Sequence, residues 1–136
     1  MSLSVGDVFR AVNPGLAGDK PHFHIVVHKT NDNLIVVTYT TTNIEGARRR
    51  CQRVEKIQFP SIDPETLVLV YPSDSDSFTE ESAINCNHVQ MMHEESFTTR
   101  PAFKMLHPIK DPQLISRIKA AIKRSPIVEE KIIKVL

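Results

Sequence analysis

The chain has 136 residues, 40% of them hydrophobic, and a formal net charge of +1, which suits a single domain around one modest core. It contains no apolar run of about 18 residues such as a membrane-spanning helix needs, and its opening MSLSVGDVFR lacks the basic and then apolar segments of a secretory signal, so a cytoplasmic protein without membrane contact is expected. Cys51 and Cys86 have no second pair to complete a metal spacing and no redox motif, and read as unpaired thiols in a reducing compartment.

In chain order, VGDVFRAV at residues 5–12 begins with a Gly-Asp turn and continues as a short strand through Val8, Phe9 and Val12. Asn13 to Pro21, rich in glycine and proline, is a loop that delivers Lys20 beside His22. The strongest local signal follows. The stretch from His22 to Thr42 holds β-branched apolar segments at Ile25 to Val27 and Leu34 to Val37 around Asn31, Asp32 and Asn33, the pattern of a β-hairpin. With Ile25 and Val27 facing the core, period-two alternation puts His22, His24, Val26 and His28 on the opposite face; on the return strand Thr38, Thr40 and Thr42 share one face and Tyr39 and Thr41 the other. Such a face is either a wet surface that tolerates His and Thr or a polar cleft able to touch a ligand.

Beyond the hairpin, the adjacent Arg48, Arg49 and Arg50, with Arg53, read as a solvated loop rim or a phosphate-contacting loop. Residues 54–62 form a short strand ended by Pro60, and TLVLVY at Thr66 to Tyr71 a strand that is central or buried on both sides. The acidic turn PSDSDSFTEES has Phe78 as its anchor and lacks the glycine and closing glutamate of a calcium loop. Ala83 to Met92 reads as one more strand, carrying His88 to the cleft or the surface, and Phe97, Phe103 and Leu106 anchor the irregular stretch after it. Asp111 caps a helix with Pro112 at its first position and a stripe of Leu114, Ile115, Ile118, Ala121 and Ile122. Ser125 and Pro126 end it and open a second, whose Val128, Ile132, Val135 and Leu136 either dock on the sheet or form a subunit interface.

This order predicts a mainly β protein: a small SH3-like barrel over residues 1–110, with a helical segment over 111–136 packed on it or at a subunit interface. Charge is uneven along the chain. Residues 1–60 hold eight Lys or Arg against five Asp or Glu, residues 61–99 none against eight, and residues 100–136 nine against three. Basic outer thirds can build a face for a polyanion, or can intermix with the acidic middle in the fold.

GDVFRA, the Gly/Pro-rich loop, KPHFHIVV, LIVVTYTTT, the spacing of Phe78, Ser82 and Ile84, and the closing DPQLISRI together resemble the PemK/MazF-like toxin superfamily. That resemblance implies an SH3-like barrel, a homodimer with an interface groove, cleavage of single-stranded RNA and a cognate antitoxin. The family's phosphate-stabilising arginine matches His22, or less closely Lys20, and its Ser/Thr matches Thr40 or Thr41. Histidine in place of arginine is a departure, since imidazole is charged only when its pKa permits and lacks the rigid guanidinium fork.

RNA cleavage through the 2′-hydroxyl needs a base, an acid and a donor to the charged phosphorane, and no metal or other cofactor. His22 and His24, roughly 6–7 Å apart along one strand face, suit the first two roles; Lys20 or an arginine suits the third, with Thr40 or Thr41 orienting the phosphate. Arg48, Arg49, Arg50, Arg53 and His88 are the candidate RNA-binding residues. A metal site on His22, His24 and His88 has no acidic ligand tied to it by sequence, and no nucleophile-elbow motif supports a serine hydrolase. The expected function is therefore a metal-independent endoribonuclease of toxin type acting on single-stranded RNA. The alternative is a non-catalytic RNA-binding or protein-binding module of the same fold.

Overall fold

The structure, a computed structural model, describes residues 2–136. The hairpin forms as its sequence dictates: β2 (Pro21–Lys29) and β3 (Leu34–Thr41) pair antiparallel. Asn33 turns the chain in the left-handed region at φ 63°, which asparagine tolerates better than most side chains. β1 (Val8–Val12) pairs with β2, and β7 (Lys104–Met105) pairs with β1. On the other side, β3 shares its free edge between β5 (Ser82–Asn85), opposite Thr40 and Thr41, and β6 (Gln90–His93), opposite Leu34 to Val37. β4 (Leu67–Val70) completes the sheet against β5.

The result is an open seven-stranded sheet in the order β4-β5-β3-β2-β1-β7, with β6 as a second partner of β3. This corrects the expected fold. A barrel requires its end strands to pair, and here β4 and β7 lie at opposite ends of the order. The molecule is a mixed α/β fold, not an SH3-like barrel. The resemblance to the PemK/MazF-like superfamily implied that barrel, and the open sheet overturns it together with its toxin-antitoxin setting.

Several local expectations change for identifiable reasons. The arginine run is not a loop but the middle of a helix, α1 (Ile44–Val54), whose N-cap Asn43 accepts a hydrogen bond from the Gly46 amide at 3.0 Å. Its Ala47 and Cys51, one turn apart, are buried, and it packs on β4 and β5. Residues 55–66 form turns and loop, not a strand. β4 is an edge strand with Leu67, Val68 and Leu69 only half-buried, so its run of consecutive apolar residues does not mark a central position. Ala83 to Met92 divides into β5 and β6 around a turn in which the His88 amide donates to the Asn85 carbonyl at 3.1 Å.

Both faces of the sheet are covered. Ile25, Val27 and Val36 join Val8, Phe78, Ile84 and the stripe of α3 (Pro112–Lys123) in one core. Val26, Ile35 and Val37 join Leu3, Phe9 and Phe97 of α2 (Glu95–Thr98) in another. α3 starts as its sequence predicts, the Asp111 carboxylate accepting from the Gln113 amide at 2.8 Å with Pro112 in the first turn. The terminal apolar residues dock: Ile132 of α4 (Glu130–Ile133) is buried in the α3 core, and Val128, Val135 and Leu136 pack around it. Among the described residues no helix is long and apolar enough to cross a membrane.

Candidate functional site

The row of histidines predicted on β2 is broken twice. A register shift between Val26 and His28 interrupts strict alternation, and His28 ends near Lys119 of α3, where burial first and that lysine second lower its pKa. His24 remains on the Val26 side but lies wholly inside the second core. Its ring stacks on Phe9, centroids 4.9 Å apart and planes 6° from parallel, with Phe97 at 5.2 Å. Burial drives its pKa down to about 4. His24 is therefore a neutral, fully buried core residue.

His22 occupies the end of the same face, half-buried where the core gives way to a pocket. The cross-strand pairing of His24 with Tyr39 brings the phenol alongside, and the His22 and Tyr39 rings meet edge-on at 5.3 Å. His88, carried in by the turn between β5 and β6, meets the same phenol edge-on at 5.0 Å, with its Nδ1 3.0 Å from the Tyr39 hydroxyl. Arg50 from α1 completes the wall of a cavity of about 450 Å³, together with Thr41, Asn43 and Asn85. Two imidazoles, a phenol and a guanidinium thus converge from β2, β3, the β5–β6 turn and α1.

Burial sets the charge states here. Partial desolvation lowers the His88 pKa and favours neutral imidazole. Burial also raises the Tyr39 pKa, an effect that the nearby Arg50 charge partly offsets, so the phenol stays protonated at neutral pH. A neutral His88 donating Nδ1–H to the phenol oxygen leaves Nε2 available to take a proton. His22 Nδ1 is shielded from solvent and has no protein hydrogen-bond partner.

Across the ridge formed by His22 and Thr41 lies a second cavity of about 260 Å³, with Lys20, Phe23, Thr40, Phe78 and Glu80 in its lining. Lys20 and Thr40 are therefore near His22 as expected, but on a pocket divided from His88 by that ridge, whereas Thr41 lines both pockets. The arginines separate by helical geometry. Arg50 and Arg53, one turn apart, line a third pocket of about 450 Å³ that shares Arg50, Asn85 and His88 with the histidine pocket, whereas Arg49 is exposed elsewhere. Arg48 is held by Glu45 and by Asp63, the latter at 3.1 Å. Tyr39, Asn43 and Asn85 were not anticipated as pocket residues. Asn43 was legible as a helix cap and Tyr39 from hairpin pairing opposite His24; Asn85 depended on a turn that the sequence concealed. Among the described residues, no three His, Cys, Asp or Glu side chains gather as a metal-binding group.

No known family model matches the chain, and no curated protein matches it in sequence.

Proposed function

We propose that the histidine pocket binds the sugar-phosphate backbone of single-stranded RNA and cleaves it by metal-independent attack of the 2′-hydroxyl. The observation that carries this reading is the meeting of His22 and His88 at Tyr39 beside Arg50. His88 takes the 2′-hydroxyl proton at Nε2, and the 2′-oxygen forms its bond to phosphorus. The bond from phosphorus to the 5′-oxygen breaks, and that oxygen receives a proton from His22. Arg50 stabilises the charge that builds on the phosphorane oxygens. The products are a 2′,3′-cyclic phosphate and a 5′-hydroxyl.

The acid–base pair differs from the His22 and His24 pair expected from sequence, since His24 is enclosed by aromatic rings.

The test is incubation of a mixed single-stranded RNA pool with purified protein in excess EDTA, beside His22→Ala and His88→Ala. Cleavage to cyclic ends by the wild type, reduced by roughly 10²-fold or more in each variant, supports the mechanism. Undiminished cleavage by folded His88→Ala removes His88 from it. Absence of cleavage with salt-sensitive RNA binding at the same pocket identifies a binding module instead.

A further inference from the structure

The cavity beyond the ridge of His22 and Thr41 has a composition unlike the histidine pocket. Phe23 and Phe78, their ring centroids 6.0 Å apart, supply an apolar part of the wall, while Thr40 and Ser82 add hydroxyl-bearing residues. Lys20 and Glu80 bring opposite charges to the same lining. At about 260 Å³ it falls just below the ~300–1,000 Å³ usual for drug-sized ligands, a size suited to one planar heterocycle. Because His22 and Thr41 line both cavities, a backbone phosphate held against His22 would place a flanking base at this opening.

We propose that this second cavity is a base-recognition subsite selecting guanine through Glu80. The proposal rests on the RNA-binding reading of the histidine pocket. An ionised carboxylate is acceptor-only and offers two oxygens side by side. Among the four bases, guanine alone presents two adjacent donors, N1–H and the 2-amino group, on its Watson–Crick edge. Adenine, cytosine and uracil each set an acceptor beside a donor. Single-stranded RNA exposes that edge, and a carboxylate facing a base acceptor is repelled, so Glu80 discriminates by mismatch as well as by match. Phe78 is buried and fixes the chain two residues before Glu80, so the carboxylate extends from an anchored point. Lys20 provides a counter-charge that limits repulsion between Glu80 and the RNA backbone.

The experiment has a binding arm and a cleavage arm, each with wild type and Glu80→Gln. Glu80 is exposed, so its replacement leaves the core intact. For binding, 2′-O-methyl uridine oligonucleotides carrying one guanine, inosine or adenine are titrated by fluorescence anisotropy, the methyl group preventing cleavage. The wild type is expected to favour guanine over adenine by roughly 5- to 100-fold, with inosine between them because it lacks the 2-amino donor. Glu80→Gln is expected to lose that preference and move toward adenine, whose donor and acceptor match an amide. For cleavage, end mapping of a mixed RNA pool in EDTA should place wild-type cuts beside guanine and spread those of the variant.

Guanine preference without cleavage sustains the subsite and overturns the nuclease. Cleavage without base bias, or with a bias unchanged in Glu80→Gln, overturns the subsite and leaves the nuclease. Neither binding nor cleavage overturns both.

Discussion

The side-chain amide of Asn13 stands with its Nδ2 3.0 Å from Nε2 of His24. Its orientation is fixed from the other end: the backbone N–H of Gly15, which can only donate, reaches Asn13 Oδ1 at 2.7 Å. Nδ2 therefore faces the imidazole, and His24 Nε2 accepts. A protonated His24 would put N–H against N–H inside an aromatic cage, so the same bond that anchors the loop also disfavours the charged ring. With its folded pKa about 4 against an ordinary 6.5, His24 takes up a proton more readily in the unfolded chain across that interval. Its stability contribution is complete above about pH 6.5 and is lost as pH falls toward 4, a loss on the order of 3 kcal/mol. His28 and His88, also lowered by burial, act in the same direction. Thermal melts from pH 7.5 to 4 should therefore show a steep acid loss, and His24→Gln, which keeps an acceptor without a titrating ring, should flatten it. A variant as acid-sensitive as the wild type would assign the loss to other groups.

Glu94 ties the start of the chain to β2. Its carboxylate accepts from the Leu3 amide at 2.8 Å and pairs with Lys29 Nζ at 3.2 Å, while that ammonium also donates to the Leu3 carbonyl at 2.8 Å. The Leu3 amide is the leading cause that holds the Glu94 pKa below its usual value, and the Lys29 bond adds to it. The ionised form is thus favoured by folding; its contribution is present above the unfolded-state pKa and lost as pH falls through the lower folded value. Glu94→Ala should destabilise the protein by about 1–3 kcal/mol at neutral pH, since it leaves the Leu3 N–H and the Lys29 charge without their shared acceptor. Urea titration measures this, with a change below about 0.5 kcal/mol contradicting the assigned role.

Local structure was legible wherever a short segment carried its own cause. Asn31 to Asn33 specified a turn, and Asp111 with Pro112 specified a helix start. Helix α1 was hidden behind its three consecutive arginines, although Ile44, Ala47, Cys51 and Val54 recur at helical spacing and Asn43, three residues before Gly46, was a readable cap. His24 shows a different limit. Alternation correctly put it beside Val26, but its burial depends on Phe97, brought from far along the chain. The candidate site was half legible for the same reason: His22, Arg50 and His88 were named, yet their meeting depends on a β5–β6 turn read as continuous strand.

The apolar C-terminal end, docked in this chain, gives a direct stability test. Ile132 is 3% exposed and packs with Leu114, Ile118 and the sheet residues of the same core. Removing its branched side chain leaves a cavity that neighbouring helices fill only partly. Ile132→Ala should cost about 2–5 kcal/mol by chemical denaturation, with no dependence on protein concentration. If instead this face served a subunit interface, the loss would diminish on dilution of the wild type, and analytical ultracentrifugation would show the variant dissociating.

Arg48 and Arg50 are two positions apart on α1 but face different surroundings, and that contrast tests where RNA lies. Arg48 is engaged by Glu45 and Asp63, whereas Arg50 lines the cavity with His22 and His88. Each phosphate neutralised by a cation adds about 0.7 to the salt slope for single-stranded nucleic acid. Arg50→Ala should therefore weaken binding of a single-stranded RNA and lower the slope of log affinity against log salt by about that amount. Arg48→Ala should leave the slope nearly unchanged, because its charge is already committed within the protein. Arg50→Lys should restore much of the slope, since charge alone releases counterions, but not cleavage, since a point charge cannot present the two parallel donors of a guanidinium to phosphate oxygens. Recovery of both by lysine would reduce Arg50 to a charge. Equal slope changes from Arg48→Ala and Arg50→Ala would place the backbone on the outer face of α1, away from the two histidines.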